Sequence, residues 1–425
     1  MQKSHIPLLI LGGCIRYFLA TSKYATFIGN RVEVSTPLNS FKRVQEGIFL
    51  YQLDIDPYQG DIVHELPLVL LTLSGCFSAV PQIIPLLYTL LDVLVAFMIY
   101  ETSHQFVRLN LINKKAKVDF LASGPGELQM QEYDLKNIPK YVLLIYLFNP
   151  LSIVSCVGLT SAVFSNFLLA FFFYALSKRW LLPCILCLSL ETLRTFYPIV
   201  LIAPVLIVFG YKSVSKSFLL VGLFTIICAA FYAFNFLIIK SWSYIDGTIG
   251  FIFFYHDLQP NVGLFWYFFT EMFDHFRTMF LITFQMNATV LYLIPLTLKL
   301  RKDPVMLATI FIALMAIFRS YPCLGDIGLY LALLPLWRRC WKFMAQNFIV
   351  FCFFLITLSI MPTLWHLWIY SGSANANFYF GAILAFSTGQ IFLVTDLLFA
   401  YVKREFCLQH GEKLFIGTEA KIILK

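Results

Sequence analysis

The chain has 425 residues, of which 60% are apolar and 13% are charged, whereas soluble domains average ~45–50% and ~25%. This composition excludes a soluble enzyme, because no long polar stretch is left to cover globular cores. The formal charge of +8 comes from 31 Lys and Arg against 23 Asp and Glu. In a membrane protein the placement of basic residues matters more than their sum, so the charge does not indicate a nucleic-acid partner.

Candidate transmembrane spans recur along almost the whole chain. A helix needs about 20 mainly apolar residues to cross the bilayer core. We predict an all-α polytopic membrane protein with about twelve spans, several of them short or broken, near residues 6–20, 83–100, 141–157, 160–177, 180–191, 195–210, 217–239, 278–298, 304–320, 324–337, 346–370 and 378–402. The apolar run 66–79 is below spanning length and is predicted to be a re-entrant or interfacial helix.

The basic residues orient these spans. With both termini in the cytosol, 22 of the 31 Lys and Arg fall in cytosolic segments, as the positive-inside rule requires. The predicted organisation is one transmembrane domain over 1–425, with non-cytosolic loops at 21–82, 240–277 and 371–377, a cytosolic loop at 101–140 and a cytosolic tail at 403–425. We expect the non-cytosolic loops to carry the function.

The first of these loops contains a pair of carboxylates one residue apart, Asp54 and Asp56. Such a pair can hold a divalent metal or activate an acceptor hydroxyl. It is equally typical of a solvated turn, here followed by Pro57. His64 beside Glu65 is open to the same two interpretations.

The second loop is dense in aromatic residues, which is typical of a layer at the membrane interface. Trp266 lies within it, and Glu271, Asp274 and His275 fall at helical spacing. They form either a polar face towards water or part of a metal site whose other ligands the sequence does not specify.

Ionisable residues inside predicted spans usually face the interior of a helix bundle. Seven qualify: Arg16, Asp92, Glu191, Arg194, Arg319, Asp326 and Asp396. The spacing of Glu191 and Arg194 predicts an ion pair within one helix. For Arg319 and Asp326 a structural pair, a headgroup contact and a catalytic role all remain open.

The ten cysteines lie mostly in or beside apolar runs, which indicates small buried side chains. Cys184 and Cys187 form a CxxC, but no second ligand pair and no electropositive setting accompany them. We therefore predict no metal site and no cofactor.

The short loop SGSANAN contains Asn375 and Asn377. Two side-chain amides so close together can bind one phosphate or sugar. They can equally cap the start of the last helix, and the residues alone do not decide between these roles.

Five long segments resemble one known family, the PIG-U family of glycosylphosphatidylinositol (GPI) transamidase membrane subunits. They are YQLDIDPYQGDIVHELPL, YLFNPLSIVSCVG, NVGLFWYFFTEMFDHF, FRSYPCLGDIGLYLALLP and LWHLWIYSGSANANFYF. The resemblance implies an endoplasmic-reticulum complex that removes a C-terminal signal from a proprotein and joins the new C-terminus to a GPI lipid. It also implies that a separate caspase-like subunit performs the chemistry.

The same family is similar to the GT-C class of polyprenyl-phosphate-sugar glycosyltransferases, which implies a GT-C-like bundle. Those enzymes keep a catalytic acid directly after the first span, where this chain has only Glu33. Asp54 and Asp56 come too late in the sequence to match. The departure favours a non-catalytic subunit with no catalytic residue of its own.

By the same resemblance, Asn375 and Asn377 become the favoured contacts of the GPI headgroup. Their place in the non-cytosolic loops suggests supporting roles for Asp56, Tyr58, His64, Glu65, Trp266 and Glu271. The expected partners are the other transamidase subunits, the GPI lipid and membrane lipids. Two alternatives remain: an active GT-C mannosyltransferase using Asp54 or Asp56, and a lipid transporter or scramblase.

Overall fold

A computed structural model describes residues 5–80, 83–116, 127–210 and 213–410, and within these ranges the regular structure is entirely helical. The α-helices are, in chain order, α1 Ile6–Ala20, α2 Tyr24–Gly29, α3 Phe41–Gln52, α4 Pro67–Ala79, α5 Ile83–Ala116, α6 Asp134–Phe148, α7 Pro150–Val157, α8 Ala162–Lys178, α9 Leu181–Thr195, α10 Ile202–Phe209, α11 Val214–Ile239, α12 Ser243–Ile245, α13 Phe251–Phe254, α14 Phe265–Glu271, α15 Asp274–Thr289, α16 Leu293–Lys299, α17 Pro304–Phe318, α18 Leu324–Leu333, α19 Asn347–Ile369 and α20 Ala376–His410. Tyr197–Leu201 and Leu334–Phe343 are 3-10 helices, and Asp246–Gly250 is a π-helical turn.

Several of these helices are long and apolar enough to cross a membrane. Among the described residues they are Ile83–Asn113, Val214–Ile239, Asp274–Lys299, Asn347–Ile369 and Ala376–His410. α6 and α7 together form a sixth candidate, bent by 47°. The prediction of a helical multi-pass membrane protein is confirmed, while the count of about twelve stays a prediction.

Two predicted features fall partly outside this description. Helix α5 continues into the predicted cytosolic loop as far as Ala116, and α6 begins at Asp134. The loop residues 117–126 and the tail residues 411–425 lie outside the described residues. The predicted interfacial segment forms α4, which has 13 residues and so reaches about 20 Å.

The helices group into two compact units. One comprises the ranges Met1–Ile99 and Leu143–Ala332, and the other Tyr100–Val142 and Leu333–Lys425. The single transmembrane domain expected from the sequence stays a prediction.

The bend between α6 and α7 shows how the first unit satisfies backbone groups in an apolar setting. Pro150 has no N–H to donate to the carbonyl of Tyr146, and Asn149 caps α7 by accepting a bond of 3.0 Å from the Leu151 N–H. The carbonyls of Tyr146 and Leu147 are thereby left without their helical donors. The Ser152 hydroxyl donates to the Tyr146 carbonyl at 2.7 Å, so one of the two is satisfied locally.

Arg16 of α1 supplies the other donor. It is fully buried, donates to the Leu147 carbonyl at 2.7 Å and pairs with Asp92 of α5. The Tyr146 hydroxyl donates to the second Asp92 oxygen at 2.6 Å. Because unsatisfied backbone groups are costly in lipid, this arginine fixes α1 and α5 at the bend.

Candidate functional site

The predicted carboxylate pair lies in a turn that folds back on itself. One Asp56 oxygen accepts from the Tyr58 N–H at 2.9 Å, and the other accepts from the Ser243 hydroxyl at 2.7 Å. Asp54 is exposed and has a φ of 56°. Asp56 is therefore engaged in fixing the turn to the start of α12.

Tyr58 lies beneath this turn. Its hydroxyl donates to the Glu65 carbonyl at 2.5 Å, and its ring meets that of Tyr244 edge-on at 6.3 Å. Burial and the nearby negative charges of Glu65 and Asp56 raise the pKa of its phenol. A Cβ at Gly247 would lie 2.9 Å from the Tyr58 ring, so the absence of a side chain lets the two loops approach this closely.

His64 is buried between the two predicted loops, with 4% of its surface exposed. Its Nδ1 lies 2.8 Å from the Gly247 carbonyl, which can only accept, so Nδ1 carries the hydrogen. Nε2 then accepts from the Arg43 guanidinium at 3.2 Å. Burial, and to a smaller extent the positive charge of Arg43, lower the pKa of His64 to about 4. The hydrogen bond to the Gly247 carbonyl acts in the opposite direction and offsets only part of this shift. The imidazole is therefore neutral at physiological pH.

Four further contacts surround His64, and two of them involve Tyr321, which follows α17. Arg43 of α3 forms an ion pair of 2.6 Å with Asp257. Phe251 stacks on the His64 ring at 3.4 Å and on the Tyr321 ring at 4.8 Å. The Tyr321 hydroxyl donates to the Asp257 carbonyl at 3.0 Å. We call these five residues, Arg43, His64, Phe251, Asp257 and Tyr321, the loop clasp.

Glu65, the neighbour of His64, binds an arginine of α9. Arg194 contacts both oxygens of Glu65, at 2.8 and 2.9 Å, and pairs with Glu191 at 2.9 Å. It also donates to the Ser165 hydroxyl and the Ser161 carbonyl, both at 3.1 Å. The predicted pairing of Glu191 with Arg194 is confirmed. Glu65 makes two contacts with Arg194, whereas Glu191 makes one.

A small polar cavity adjoins this arginine. Its lining brings together the first loop, α8, α9 and the segment around α18, through Leu38, Asn39, His64, Glu65, Ser161, Ala162, Ser165, Arg194, Thr195, Arg319 and Asp326. Arg319 and Asp326 form an ion pair of 2.8 Å, so the structural pair that the sequence left open is present.

The two predicted residues of the second loop have different surroundings. Trp266 is buried in α14, whereas Glu271 ends that helix with its side chain exposed. Asp274 and His275, at the start of α15, are exposed as well. The chain is extended at Met272 and Phe273, between the end of α14 and the start of α15. The helical spacing predicted for Glu271, Asp274 and His275 is therefore wrong, and the three side chains do not share one helix face.

Asn375 and Asn377 lie at the start of α20, in the second unit. The Asn375 side-chain oxygen accepts from the N–H groups of Asn377 and Phe378, at 3.1 and 3.4 Å. Both asparagine side chains are exposed. Asn375 therefore caps α20 through its side-chain oxygen. Its exposed amide NH₂ group can still donate hydrogen bonds.

The described residues contain no group of three or more His, Cys, Asp or Glu that could hold a metal ion. All ten cysteines are free thiols, and Cys184 and Cys187 are buried in α9. Sequence reasoning missed Arg43 and Asp257 as site residues. The only signal for them was the presence of opposite charges in two loops predicted to lie on the same side of the membrane.

Comparison with known proteins identifies the family. The model of the family described as GPI transamidase subunit PIG-U matches residues 10–386. The GPI-anchor transamidase component PIGU of Homo sapiens is 37% identical over 99% of each chain, and that of Cricetulus griseus is 37% identical over 98% of each. The GPI transamidase component GAB1 of Saccharomyces cerevisiae is 29% identical over 93% of this chain and 94% of its own. The chain belongs to the PIG-U family of GPI transamidase subunits.

Proposed function

We propose that this chain is a non-catalytic subunit of a GPI transamidase complex in the endoplasmic-reticulum membrane. The observation that carries the proposal is the match to full-length relatives named as components of that enzyme. In this proposal about twelve spans form one GT-C-like bundle with both termini in the cytosol. The loops 21–82 and 240–277 then face the lumen, and 101–140 and 403–425 face the cytosol.

The proposed role is to bind the GPI lipid and present its ethanolamine amine to a caspase-like partner subunit. Holding the amine near an acyl intermediate raises the rate through proximity and orientation. Asn375 and Asn377 are the proposed headgroup contacts, because they are exposed and lie two residues apart at a helix start. Amide groups of this kind bind phosphate and sugar oxygens.

The other predicted residues act in this proposal by shaping the lumenal loops. Asp56 and Tyr58 fix the turn of the first loop, and His64 belongs to the loop clasp. Glu65 is neutralised by Arg194. A carboxylate with both oxygens in such contacts is poorly placed to act as a base, which supports a non-catalytic subunit. For Trp266 and Glu271, the proposed supporting role rests only on their position in the second loop.

The alternative is an active GT-C mannosyltransferase that uses Asp54 or Asp56. The exposure of the Asp54 carboxylate in the first loop supports this alternative, because a substrate could reach it there. Replacing Asp54 with Asn should then abolish sugar transfer to a lipid acceptor, and cells without the protein should accumulate early glycan precursors. Accumulation of completed GPI in those cells would instead support the transamidase subunit.

The test of GPI binding uses the variant Asn375→Ala/Asn377→Ala in cells that lack the endogenous subunit. We expect a loss of surface GPI-anchored protein of at least about tenfold, with the complex still recovered by a mild-detergent pull-down, because an exposed cap costs only about 1 kcal/mol. Gln59→Ala, at another exposed position, is the matched control. Normal surface anchoring in the double variant would reject these two residues as the contacts.

A further inference from the structure

The polar cavity beside Arg194 lies within the first unit and has room for about one water-sized group. Most of the polar groups that line it are already engaged. Arg194 donates five hydrogen bonds, and both ring nitrogens of His64 have partners. The carboxylates of Glu65 and Asp326 are each paired with an arginine. The lining groups that have no partner among the described residues can all donate hydrogen bonds.

Arg319 uses little of its hydrogen-bonding capacity, in contrast to Arg194. Within the described part of the chain its guanidinium donates one hydrogen bond, to Asp326 at 2.8 Å. The Nε–H group is buried and has no acceptor there. Because 12% of the side chain remains exposed, the guanidinium is not sealed off from solvent. A charged group with unused donors in a polar cavity is suited to an anionic ligand.

Two smaller side chains line the same cavity with unused donors. The Asn39 side-chain oxygen accepts from the Thr36 N–H at 2.7 Å, whereas its amide NH₂ group has no partner in the described ranges. Ser161 precedes α8, and its hydroxyl neither caps that helix nor bonds to another described group. Asn39 and Ser161 are only 6% and 4% exposed. Since buried polar groups in proteins are normally hydrogen-bonded, these donors indicate an acceptor that does not belong to the chain.

Backbone and packing contacts bring these groups to one place. The Ser161 N–H donates to the Asn39 carbonyl at 3.0 Å, so the first loop is joined to the start of α8. On the other side, a Cβ at Gly325 would lie 3.2 Å from that of Ala162. The start of α18, whose Asp326 pairs with the underused guanidinium, therefore packs on the first turn of α8. The positive end of the α8 dipole lies at the same place.

We infer that Asn39, Ser161 and Arg319 bind one oxygen of a phosphate group. A phosphate oxygen accepts several hydrogen bonds at once, and the guanidinium charge and the dipole of α8 favour an anion over a neutral acceptor. Given the size of the cavity, one oxygen enters it and the rest of the group lies at its mouth. Inorganic phosphate and the headgroup of a phospholipid share this chemistry. The inference goes beyond the proposed function, because it involves neither Asn375 nor Asn377.

The experiment follows unfolding of the full chain in mild detergent by circular dichroism, as sodium phosphate replaces sodium chloride at equal ionic strength. A ligand that binds only the folded protein raises the unfolding temperature in a saturable way, and we expect this rise in the wild type. Asn39→Asp keeps the oxygen that accepts from Thr36 but replaces the donor with a negative charge. The apparent affinity for phosphate should therefore fall at least about tenfold, and in Ser161→Ala about threefold.

The matched control is Asn30→Asp, which adds the same charge at an exposed position of the same loop and should give the wild-type phosphate curve. If Asn39→Asp is already destabilised in chloride, Ser161→Ala decides, because it removes no hydrogen bond between described side chains. The inference is overturned by a wild type that responds equally to phosphate and chloride, by equal responses of Asn39→Asp and Asn30→Asp, or by an unchanged affinity in Ser161→Ala. The cavity then holds water alone.

A second measurement identifies the source of the phosphate. Native mass spectrometry counts dioleoylphosphatidylethanolamine and dioleoylglycerol retained from equal concentrations, two lipids that differ only by the phosphoethanolamine group. A preference for the phospholipid that is lost in Asn39→Asp but kept in Asn30→Asp assigns the site to a lipid headgroup. No such preference, together with the response to sodium phosphate, assigns it to free phosphate.

Discussion

Glu65 and Arg194 are 129 positions apart in the chain, and each is notable in the sequence for a separate reason. Glu65 stands in a polar loop, and Arg194 interrupts an apolar run. In the structure they form a two-point contact with side chains only 4% and 2% exposed. A guanidinium fork meeting a carboxylate in this way is both strong and directional. The pair therefore positions the end of the first loop against α9.

Removing this arginine should destabilise the protein. In Arg194→Met the carboxylates of Glu65 and Glu191 remain buried without a cation, which costs about 3–5 kcal/mol. The measurement is thermal unfolding in detergent, followed with a thiol-reactive dye that reports the exposure of buried cysteines such as Cys156 and Cys323. Arg301→Met, at an exposed position, is the control, and equal unfolding temperatures for the two variants would contradict the role of Arg194.

His64 should make stability depend on pH. Its pKa is about 4 in the folded protein against 6.5 when unfolded, so between these values the unfolded state binds more protons. The neutral His64 therefore contributes its full share to the free energy of unfolding above about pH 6.5. This contribution, up to about 3 kcal/mol, is lost as the pH falls through 4. Thermal unfolding in detergent, followed by circular dichroism from pH 7.5 to 4.5, measures this slope.

The variant His64→Phe keeps a ring against Phe251 but cannot take up a proton. We expect it to be less stable at pH 7.5, because the Gly247 bond is lost, and to lose the part of the pH slope that His64 causes. His256→Phe, at an exposed position, should keep the wild-type slope. An unchanged slope in His64→Phe would show that other groups cause it.

At the scale of whole helices, apolar patterning located most elements. Each predicted span coincides with a helix or a broken pair, from α1 at Ile6–Ala20 to α20 at Ala376–His410. The ends were less accurate: α5 extends to Ala116, well past the expected residue 100. Polar residues such as Glu101 and His104 end an apolar run without ending a helix, because the helix satisfies its own backbone groups in either solvent.

The bend between α6 and α7 yields a prediction for one element. In Arg16→Met the Leu147 carbonyl loses its donor and Asp92 keeps only the Tyr146 hydroxyl. We expect a loss of about 3–5 kcal/mol, since a buried carboxylate is left without its cation. Arg16→Met/Asp92→Leu should recover part of this loss, which unfolding of both variants in detergent would measure. No recovery in the double variant would mean that the carbonyl contacts, rather than the ion pair, are the main contribution.

At the scale of the whole molecule, orientation is the property most open to test. The loop clasp requires the segments around His64 and Asp257 to be on the same side of the membrane, as the distribution of basic residues predicts. A glycosylation acceptor sequence inserted at Gly60 should therefore be modified in the lumen. The same insertion at Arg301 should remain unmodified. Glycosylation at Arg301, or no glycosylation at the exposed Gly60, would contradict the proposed topology.

The sequence by itself determined the helical membrane class, the family and the positions of most helices, because apolar periodicity and long specific segments are local properties of the chain. It also located the pairing of Glu191 with Arg194, whose spacing of three residues is fixed by helix geometry. Only the tertiary structure decided that Glu65 binds Arg194 and that Arg43 reaches Asp257. Such partners are chosen by burial, which requires each charge to find a counter-charge from any part of the chain.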